Sequence, residues 1–159
     1  MADLQPNSKH CFVCGLENPA GLKLRFFNSA DGAVRATLTV ADHFQSYPGI
    51  AHGGILATVL DEAMGRAAMV ADPNRFLMTL KMEIRYRQPV PTAQPVTVAA
   101  RIDADRGRRL EASGQVILSD GTVAVEARGL LAEMPSEMVA GFDAEAEGWM
   151  VYPLEEGDD

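Results

Sequence analysis

The stretch AHGGILATVLDEAMG (residues 51–65) decides the fold of this 159-residue chain. Its apolar residues recur at helical spacing, which predicts an amphipathic helix over residues 54–71 that ends at "DPN". The two glycines before the helix predict a tight turn at its start. Asp61 and Glu62 are adjacent within the apolar run, and packing into the core does not explain a pair of carboxylates there. The interpretation of the chain therefore depends on what each carboxylate does.

The segments around the helix have the two-residue period of strands. Two predicted strands precede the helix and four follow it, at residues 22–29, 33–40, 76–87, 96–104, 108–119 and 122–134. One helix with one apolar face needs a sheet to cover it. We therefore predict an α+β fold, in which one long central helix is wrapped by a curved antiparallel sheet.

Alternation in the first strand after the helix separates two faces. Its apolar positions are Leu80, Met82, Ile84 and Tyr86. Its polar positions are Thr79, Lys81, Glu83, Arg85 and Arg87. Because successive side chains of a strand point to opposite faces, we expect Thr79 on the polar face.

Turn-forming residues and the distribution of charge divide the chain into three parts. We predict an irregular N-terminal arm at residues 1–20, the folded domain at residues 21–134 and an acidic tail at residues 135–159. The tail holds eight acidic and no basic residues, so it accounts for the whole net charge of −8. The tail either docks on the domain or stays disordered. Three of its residues are candidates for docking: Trp149, Val151 and Tyr152.

The composition is that of a soluble globular chain, with 47% hydrophobic and 23% charged residues. No apolar run has the length of a membrane span, and the first residues lack the pattern of a secretory signal. No basic stripe with interleaved aromatic residues is present, which argues against a nucleic-acid partner. We therefore expect a cytoplasmic protein with neither a membrane nor a nucleic acid as partner.

Cys11 and Cys14 form a CxxC motif, which is typical of half a zinc site or of a redox pair. A structural zinc ion needs four ligands, and the sequence holds no second CxxC and no HxxxH. His10 offers a third ligand, and no fourth is evident. We expect two reduced structural thiols, and neither a metal nor a cofactor.

A helical wheel separates the two carboxylates. The core stripe consists of Leu56, Val59, Leu60, Ala63, Ala67 and Val70. Glu62 lies off this stripe beside Arg66, so we interpret the two as a solvated surface ion pair. Asp61 lies on the opposite flank, whose other residues are small: Ala57, Thr58, Gly65 and Ala68. Such a flank admits a ligand or a second subunit, although hydrogen bonding to a nearby backbone amide or arginine would also explain Asp61.

The sequence His52-Gly53-Gly54 adds a candidate oxyanion site at the helix start. Amides at a helix N-terminus and the helix dipole favour negative charge. Asp61 lies about 10–12 Å further along the axis, which is too far for one chain to serve one carbonyl with both groups. A dimer would resolve this by combining Asp61 of one subunit with the glycine turn of the other. A turn-stabilising role is the alternative for His52.

The stretch HGGILATVLDEAMG resembles the signature of hotdog-fold thioesterases of the PaaI-like type, in which an acid follows nine residues after the His. The predicted element order and the stretch TLKMEIRYRQPV after the helix resemble the same family. The stretch CFVCGLENPAGLKLRF (residues 11–26) is similar to the N-terminal arm of one thioesterase subgroup. The resemblance covers residues 11–133. It implies a hotdog fold and hydrolysis of acyl-CoA thioesters, with active sites at the interface of a homodimer or of a dimer of dimers.

The resemblance also implies roles for individual residues. Asp61 matches the general base or nucleophile of the family, and the Gly53 amide matches the group that polarises the thioester carbonyl. Thr79 matches a residue that helps to place the attacking water. His52, the first residue of the motif, completes the expected catalytic set.

Substrate binding is expected from a second group of residues. Gly54 belongs to the glycine turn, and Ser46 stands where many relatives carry an Asn, so the network that positions water differs here. The phosphates of CoA call for arginines near the mouth of the site. Two sets are candidates, Arg85 with Arg87 and Arg108 with Arg109, although exposed arginines are commonly just solvated.

Two other functions stay open at this point. The first is a hotdog module that binds acyl-CoA without turnover. The second is a hotdog enoyl-CoA hydratase or dehydratase, which needs a His and an acid that act together. His43 and His52 are its candidates, and neither has the expected spacing from an acid.

Overall fold

The computed structural model describes residues 3–154. Its elements in chain order are β1 (Asp3–Leu4), β2 (Phe27–Asn28), β3 (Val34–Thr39), α1 (Gly53–Ala67), β4 (Leu77–Tyr86), β5 (Pro95–Asp105), β6 (Arg109–Ile117), β7 (Val123–Glu133) and α2 (Ser136–Ala140). The last turn of the long helix, Ala68–Val70, is a 3-10 helix. Among the described residues, no helix is long and apolar enough to cross a membrane.

The strands form one antiparallel sheet in the order β1-β2-β3-β5-β6-β7-β4. The helix α1 packs against β3, β4, β5, β6 and β7, so the core lies between the helix and the inner face of the sheet. This arrangement confirms the predicted α+β fold with one wrapped helix. β4 stands at one end of the strand order, so one of its edges is not paired in the described chain.

Two glycines let α1 lie close to the sheet. A methyl group at Gly114 would come within 3.1 Å of Leu60 Cδ2, and one at Gly129 within 3.1 Å of Met64. Leu60 and Met64 are fully buried at these contacts. The wheel assigned Leu60 to the core but missed Met64, and it included Val70, which is only half-buried.

The first predicted strand, residues 22–29, is mostly wrong, because only Phe27–Asn28 forms strand pairing. Lys23 has a φ of 55°, a left-handed conformation that interrupts the extended run. The backbone before β2 instead bonds to the arm, where Leu22 N–H donates to Phe12 O at 2.8 Å and Leu24 N–H donates to Val13 O at 2.9 Å. The arm is therefore more ordered than predicted, since it also supplies β1.

The tail docks on the body as far as it is described. The rings of Phe142 and Trp149 lie 5.4 and 5.6 Å from the ring of Phe76. Met150 forms an antiparallel bridge with Asn7 of the arm. Val151 remains exposed, whereas Tyr152 donates a hydrogen bond to Gly148 O. The final residues of the predicted tail, 155–159, lie outside the described part of the chain.

Arg66 is buried, which corrects the interpretation of its pair with Glu62. The pair forms at 2.7 Å between Nε and Oε1, but the Arg66 side chain is only 2% exposed and that of Glu62 24%. The wheel could not show this, because the arm and the tail cover the flank that it left to solvent. Although burial acts to lower it, the pKa of Arg66 is raised, mainly by the Glu62 carboxylate.

We predict that Glu62→Gln destabilises the fold by about 2–4 kcal/mol, since it leaves a buried guanidinium without its counter-ion. Urea denaturation measures this change in the free energy of unfolding. Glu83→Gln is the matched control, because Glu83 pairs with Lys81 at 2.9 Å with both side chains mostly exposed, 70% and 67%. The control should leave the free energy of unfolding almost unchanged, because an exposed pair of this kind contributes little. Equal effects of the two substitutions would contradict a special role for the buried pair.

Candidate active site

Asp61 meets Thr79 on the flank of small residues. The Thr79 hydroxyl donates a hydrogen bond of 2.6 Å to Asp61 Oδ1. Asp61 is half-buried and Thr79 is exposed at the same opening. One carboxylate oxygen is thereby held in place, and Oδ2 accepts no hydrogen bond from the described residues, so a substrate or a water molecule can reach it.

A β-bulge in β4 makes this contact possible. Thr79 pairs with Leu131 and Lys81 with Leu130, so Leu80 is the extra residue. Before the bulge the odd-numbered residues face α1, and after it the even-numbered Met82 and Ile84 do. The simple alternation that placed Thr79 on the polar face with Lys81 was wrong for this reason. It also placed Leu80 on the apolar face, whereas Leu80 is 55% exposed.

The Asp61–Thr79 pair opens into a cavity of about 700 Å³. α1, the arm, the start of β4 and the tail form its wall. Its apolar lining includes Met69, Met78 and Trp149. Gly65 also lines the cavity, and a methyl group at this position would meet no atom within 4 Å, so the flank faces open space at Gly65. The cavity can hold an apolar group beside the carboxylate.

The start of α1 leaves one amide without an acceptor. The Gly54 N–H donates to His52 Nδ1 at 2.9 Å, while Ile55 and Leu56 N–H both donate to His52 O. Gly53 N–H makes no hydrogen bond within residues 3–154. The carbonyl of Gly53 accepts a hydrogen bond of 2.8 Å from the Tyr86 hydroxyl, which fixes the Gly53–Gly54 peptide next to this amide. The geometry therefore presents the Gly53 amide as a free donor at a helix N-terminus.

His52 acts in this structure as the N-cap of α1, because its Nδ1 accepts from Gly54. This observation agrees with the turn-stabilising alternative. Gly54 uses its amide for this bond, so it is not a free donor. Tyr86, which sequence reasoning did not select, joins the turn to β4 through its hydroxyl.

The remaining expected site residues lie elsewhere in the chain. Ser46 is exposed in the loop before α1, where its N–H donates to Ile50 O. None of the four arginines borders the Asp61 cavity. Arg85, Arg108 and Arg109 are exposed, and Arg87 pairs with Glu126 at 2.7 Å. The structure thus brings Asp61 to Thr79 and His52 to Gly53 and Gly54, but it does not bring these two groups together in one chain.

Cys11, Cys14 and Glu62 meet on another wall of the cavity. Their sulfur and carboxylate oxygen atoms all lie within 4.8 Å of one another. The hydrogen bond with Cys11 lowers the pKa of Cys14 to about 6, and Arg66 also lowers it. The hydrogen bond with Cys14, followed by burial, raises the pKa of Cys11. Sequence reasoning noticed the CxxC motif, but it had no signal that Glu62 would join it.

The chain resembles known proteins in sequence. The family model described as the thioesterase superfamily matches residues 48–125. Acyl-coenzyme A thioesterase THEM4 of Bos taurus is 30% identical over 128 residues, which are 79% of this chain and 52% of that protein. The THEM4 protein of Rattus norvegicus is 30% identical over 110 residues, or 69% and 46% of the two chains. The chain therefore spans about half the length of these curated relatives.

Solved structures confirm the hotdog fold. A protein described as a member of the thioesterase superfamily has a TM-score of 0.73 and 31% identity, covering 78% of this chain and 60% of that one. The PaaI protein of the E. coli phenylacetic acid degradation operon has a TM-score of 0.64 and 16% identity, with 72% and 81% covered. A hypothetical thioesterase of Streptococcus pneumoniae, solved with coenzyme A, has a TM-score of 0.63 and 20% identity, with 70% and 85% covered.

We predict that His52→Ala destabilises the chain by about 1 kcal/mol, because it removes the acceptor that caps α1. His52→Asn should retain most of the stability, since a side-chain amide oxygen can accept from Gly54 N–H. Urea denaturation of both variants measures the difference. Equal loss in the two variants would mean that capping is not what His52 contributes.

Proposed function

Residues 48–125 match the thioesterase-superfamily model and lie within a hotdog fold, and from that premise we propose that the chain hydrolyses acyl-CoA thioesters to a free acid and CoA. The observation that carries the proposal is the hydrogen bond of 2.6 Å from Thr79 to Asp61 at the wall of the cavity. An oriented carboxylate beside an apolar cavity can activate a water molecule against an acyl group held there. The relatives named acyl-coenzyme A thioesterases support this substrate class.

In the proposed reaction, Asp61 Oδ2 takes a proton from water, and the water oxygen attacks the thioester carbonyl carbon. The C–S bond of the tetrahedral intermediate then breaks, and the departing CoA thiolate takes up a proton. Direct attack by Asp61, which would form a mixed anhydride, is the other possible step. Thr79 holds Oδ1 and so directs Oδ2 toward the substrate.

The Gly53 N–H is the proposed oxyanion donor. Its position at the N-terminus of α1 adds the field of the helix dipole, and it makes no hydrogen bond within the described residues. The eight-residue separation of Gly53 and Asp61 corresponds to about 12 Å along α1, so both cannot serve one carbonyl in one chain. We therefore assign the oxyanion donor to the Gly53 of a second subunit.

The edge strand β4 supports the assignment to a homodimer. It is ten residues long, and one of its edges is not paired in the described chain. Met78, Leu80 and Tyr86 on this strand are exposed apolar or aromatic side chains. Long edges of this kind are normally covered by a partner, and a second copy of the chain is the partner that completes the site.

The other expected binding roles remain part of the proposal. Arg85, Arg87, Arg108 and Arg109 are candidates for the CoA phosphates only across such an interface, because they do not border the cavity of their own chain. Ser46 lies in the loop before α1 and is a candidate at the same interface. A cytoplasmic location and further pairing of dimers into tetramers stay predictions.

We predict that Asp61→Asn lowers kcat by about 10²–10⁴ with a small change in KM, because it removes the base and leaves the cavity shape intact. A panel of aliphatic and aromatic acyl-CoA substrates should be assayed for free CoA release. Glu17→Gln, at an exposed acid of the arm, is the control and should retain activity. Wild-type turnover by Asp61→Asn would exclude this role, and a wild-type protein that binds acyl-CoA without turnover would favour a non-catalytic module.

The oxyanion donor can be removed with a matched control. Gly53 is the first residue of α1, where proline is tolerated, and His52 before it is already extended with a ψ of 132°. Gly53→Pro deletes the N–H and should lower kcat by about 10²–10³. Gly53→Ala keeps the N–H and adds a methyl group 3.3 Å from the Tyr86 ring, so it reports the cost of crowding alone.

Mixing the two inactive variants tests the shared site. In an equal mixture of Asp61→Asn and Gly53→Pro subunits, half of the dimers are mixed, and each of these contains one intact site. Activity should therefore return to roughly a quarter of the wild-type value. No recovery in a mixture shown to exchange subunits would place both groups in the same chain and contradict the proposed mechanism.

A further inference from the structure

The three side chains that meet beside the cavity are all metal ligands. Cys11 and Cys14 come from the arm and Glu62 from α1, and their ligand atoms all lie within 4.8 Å of one another. We propose that Cys11, Cys14 and Glu62 bind one zinc ion, which ties the arm to the central helix. The sequence alone offered no third ligand besides His10, and the fold supplies one from a residue 48 positions after Cys14.

The donor set fits zinc. Two thiolates select a thiophilic cation such as Zn²⁺ over Mg²⁺ or Ca²⁺, and a carboxylate is a common third ligand. Donor atoms around a tetrahedral zinc ion lie about 3–4 Å apart, given bonds of about 2.0–2.3 Å. Small side-chain rotations from the present separations would suffice. All three residues line the cavity, so the fourth ligand that zinc requires is a water molecule on the open side.

Two of the ligands are held by further hydrogen bonds. The backbone N–H groups of Val13 and Cys14 point at Cys11 Sγ, at 3.4 and 3.5 Å. Arg66 Nε donates to Glu62 Oε1 at 2.7 Å, and Glu62 Oε2 accepts a hydrogen bond from Cys11 Sγ at 3.8 Å. Bonds of this kind orient metal ligands and support their charge. The turn at the CxxC motif and the ion pair of α1 therefore both direct donor atoms to one point.

The surroundings of Cys14 suit a sulfur ligand as well. Ser8 Oγ lies 3.7 Å from Cys14 Sγ, and Cys14 is almost fully buried. Arg66 Nη2 is buried and has no hydrogen-bond partner among the described residues. Arg66 interacts electrostatically with Cys14. A metal-bound thiolate at Cys14 would be a stronger acceptor for this guanidinium than a neutral thiol.

The charges balance when zinc is bound. Two thiolates and one carboxylate contribute three negative charges, which the zinc ion and the Arg66 guanidinium together neutralise. A neutral cluster avoids the large cost of an uncompensated charge at a buried site. Arg66 therefore does not oppose the cation, because it compensates the third negative charge.

The site is separate from the proposed catalytic pair. Asp61 is adjacent to Glu62 in sequence, but its Oδ1 accepts from Thr79, and it is not among the clustered ligands. This neighbouring carboxylate is a matched control for Glu62, since Asp61→Asn makes the same chemical change one residue away.

The test is a titration of the reduced, metal-stripped full chain with Co²⁺ under anaerobic conditions. We expect one Co²⁺ per chain, with a thiolate-to-cobalt charge-transfer band in the near ultraviolet and the strong visible bands of a tetrahedral ion. Added Zn²⁺ should displace the cobalt and bleach both bands. Absence of these bands, or octahedral spectra alone, would overturn the proposal.

Three variants locate the ligands. Loss of a residue that only holds a metal ligand in place weakens metal binding by about 10–100-fold. Cys11→Ser and Cys14→Ser each remove a ligand, so they should weaken Zn²⁺ binding by more than this. Glu62→Gln should also weaken it, whereas Asp61→Asn should bind as the wild type does. Because Glu62→Gln also breaks the pair with Arg66, circular dichroism must show that it is folded. Cys11 is half-buried and is not part of the Glu62–Arg66 ion pair, so Cys11→Ser tests the site without removing that pair. Unchanged affinity in Cys11→Ser would exclude the site.

Discussion

The buried guanidinium of Arg66 is the constraint on which the assembly of the chain depends. A charge taken out of water needs a counter-ion and acceptors for its donors. Glu62 of α1 supplies the counter-ion, and the Pro6 carbonyl of the arm accepts from Nη1 at 2.8 Å. The rings of Phe26 and Trp149 lie 4.6 and 5.4 Å from the guanidinium carbon. The arm, the helix and the tail must therefore come together at one point, and the flanking segments are structural parts of the domain.

The same helix serves two purposes because adjacent residues of a helix point about 100° apart. Glu62 turns toward the arm and stabilises Arg66, whereas Asp61 turns toward β4 and receives the Thr79 hydroxyl. Both lie at the wall of one cavity, which the arm and the tail help to close. Because Asp61 is adjacent to Glu62, which pairs with Arg66, a change in the packing around Arg66 would also alter the surroundings of Asp61.

The sequence predicted what depends on local periodicity and missed what depends on contacts between distant segments. The helix, the strands from residue 76 onward and the separation of Asp61 from Glu62 all follow from spacing. The burial of Arg66 does not, since it requires the arm and Trp149 to cover a flank that is polar by pattern. The sequence also did not predict the bulge at Leu80, because an alternating pattern does not indicate where one residue will be left unpaired. The third side chain of the cysteine cluster was hidden for the same reason, as sequence distance conceals spatial proximity.

The bulge and the free edge of β4 have a joint consequence for the proposed chemistry. The bulge turns Thr79 toward Asp61 on the strand that ends the sheet, so the oriented carboxylate lies next to the surface where a second chain can pair. The free amide of Gly53 lies about 12 Å along the helix from Asp61, beyond the roughly 3 Å that an oxyanion donor requires. In the proposed reaction, a single chain therefore holds both groups but cannot bring them to the same carbonyl. If hydrolysis uses both groups, then assembly at the β4 edge is a requirement of the reaction, and dilution below the dimerisation constant should remove activity and not merely stability.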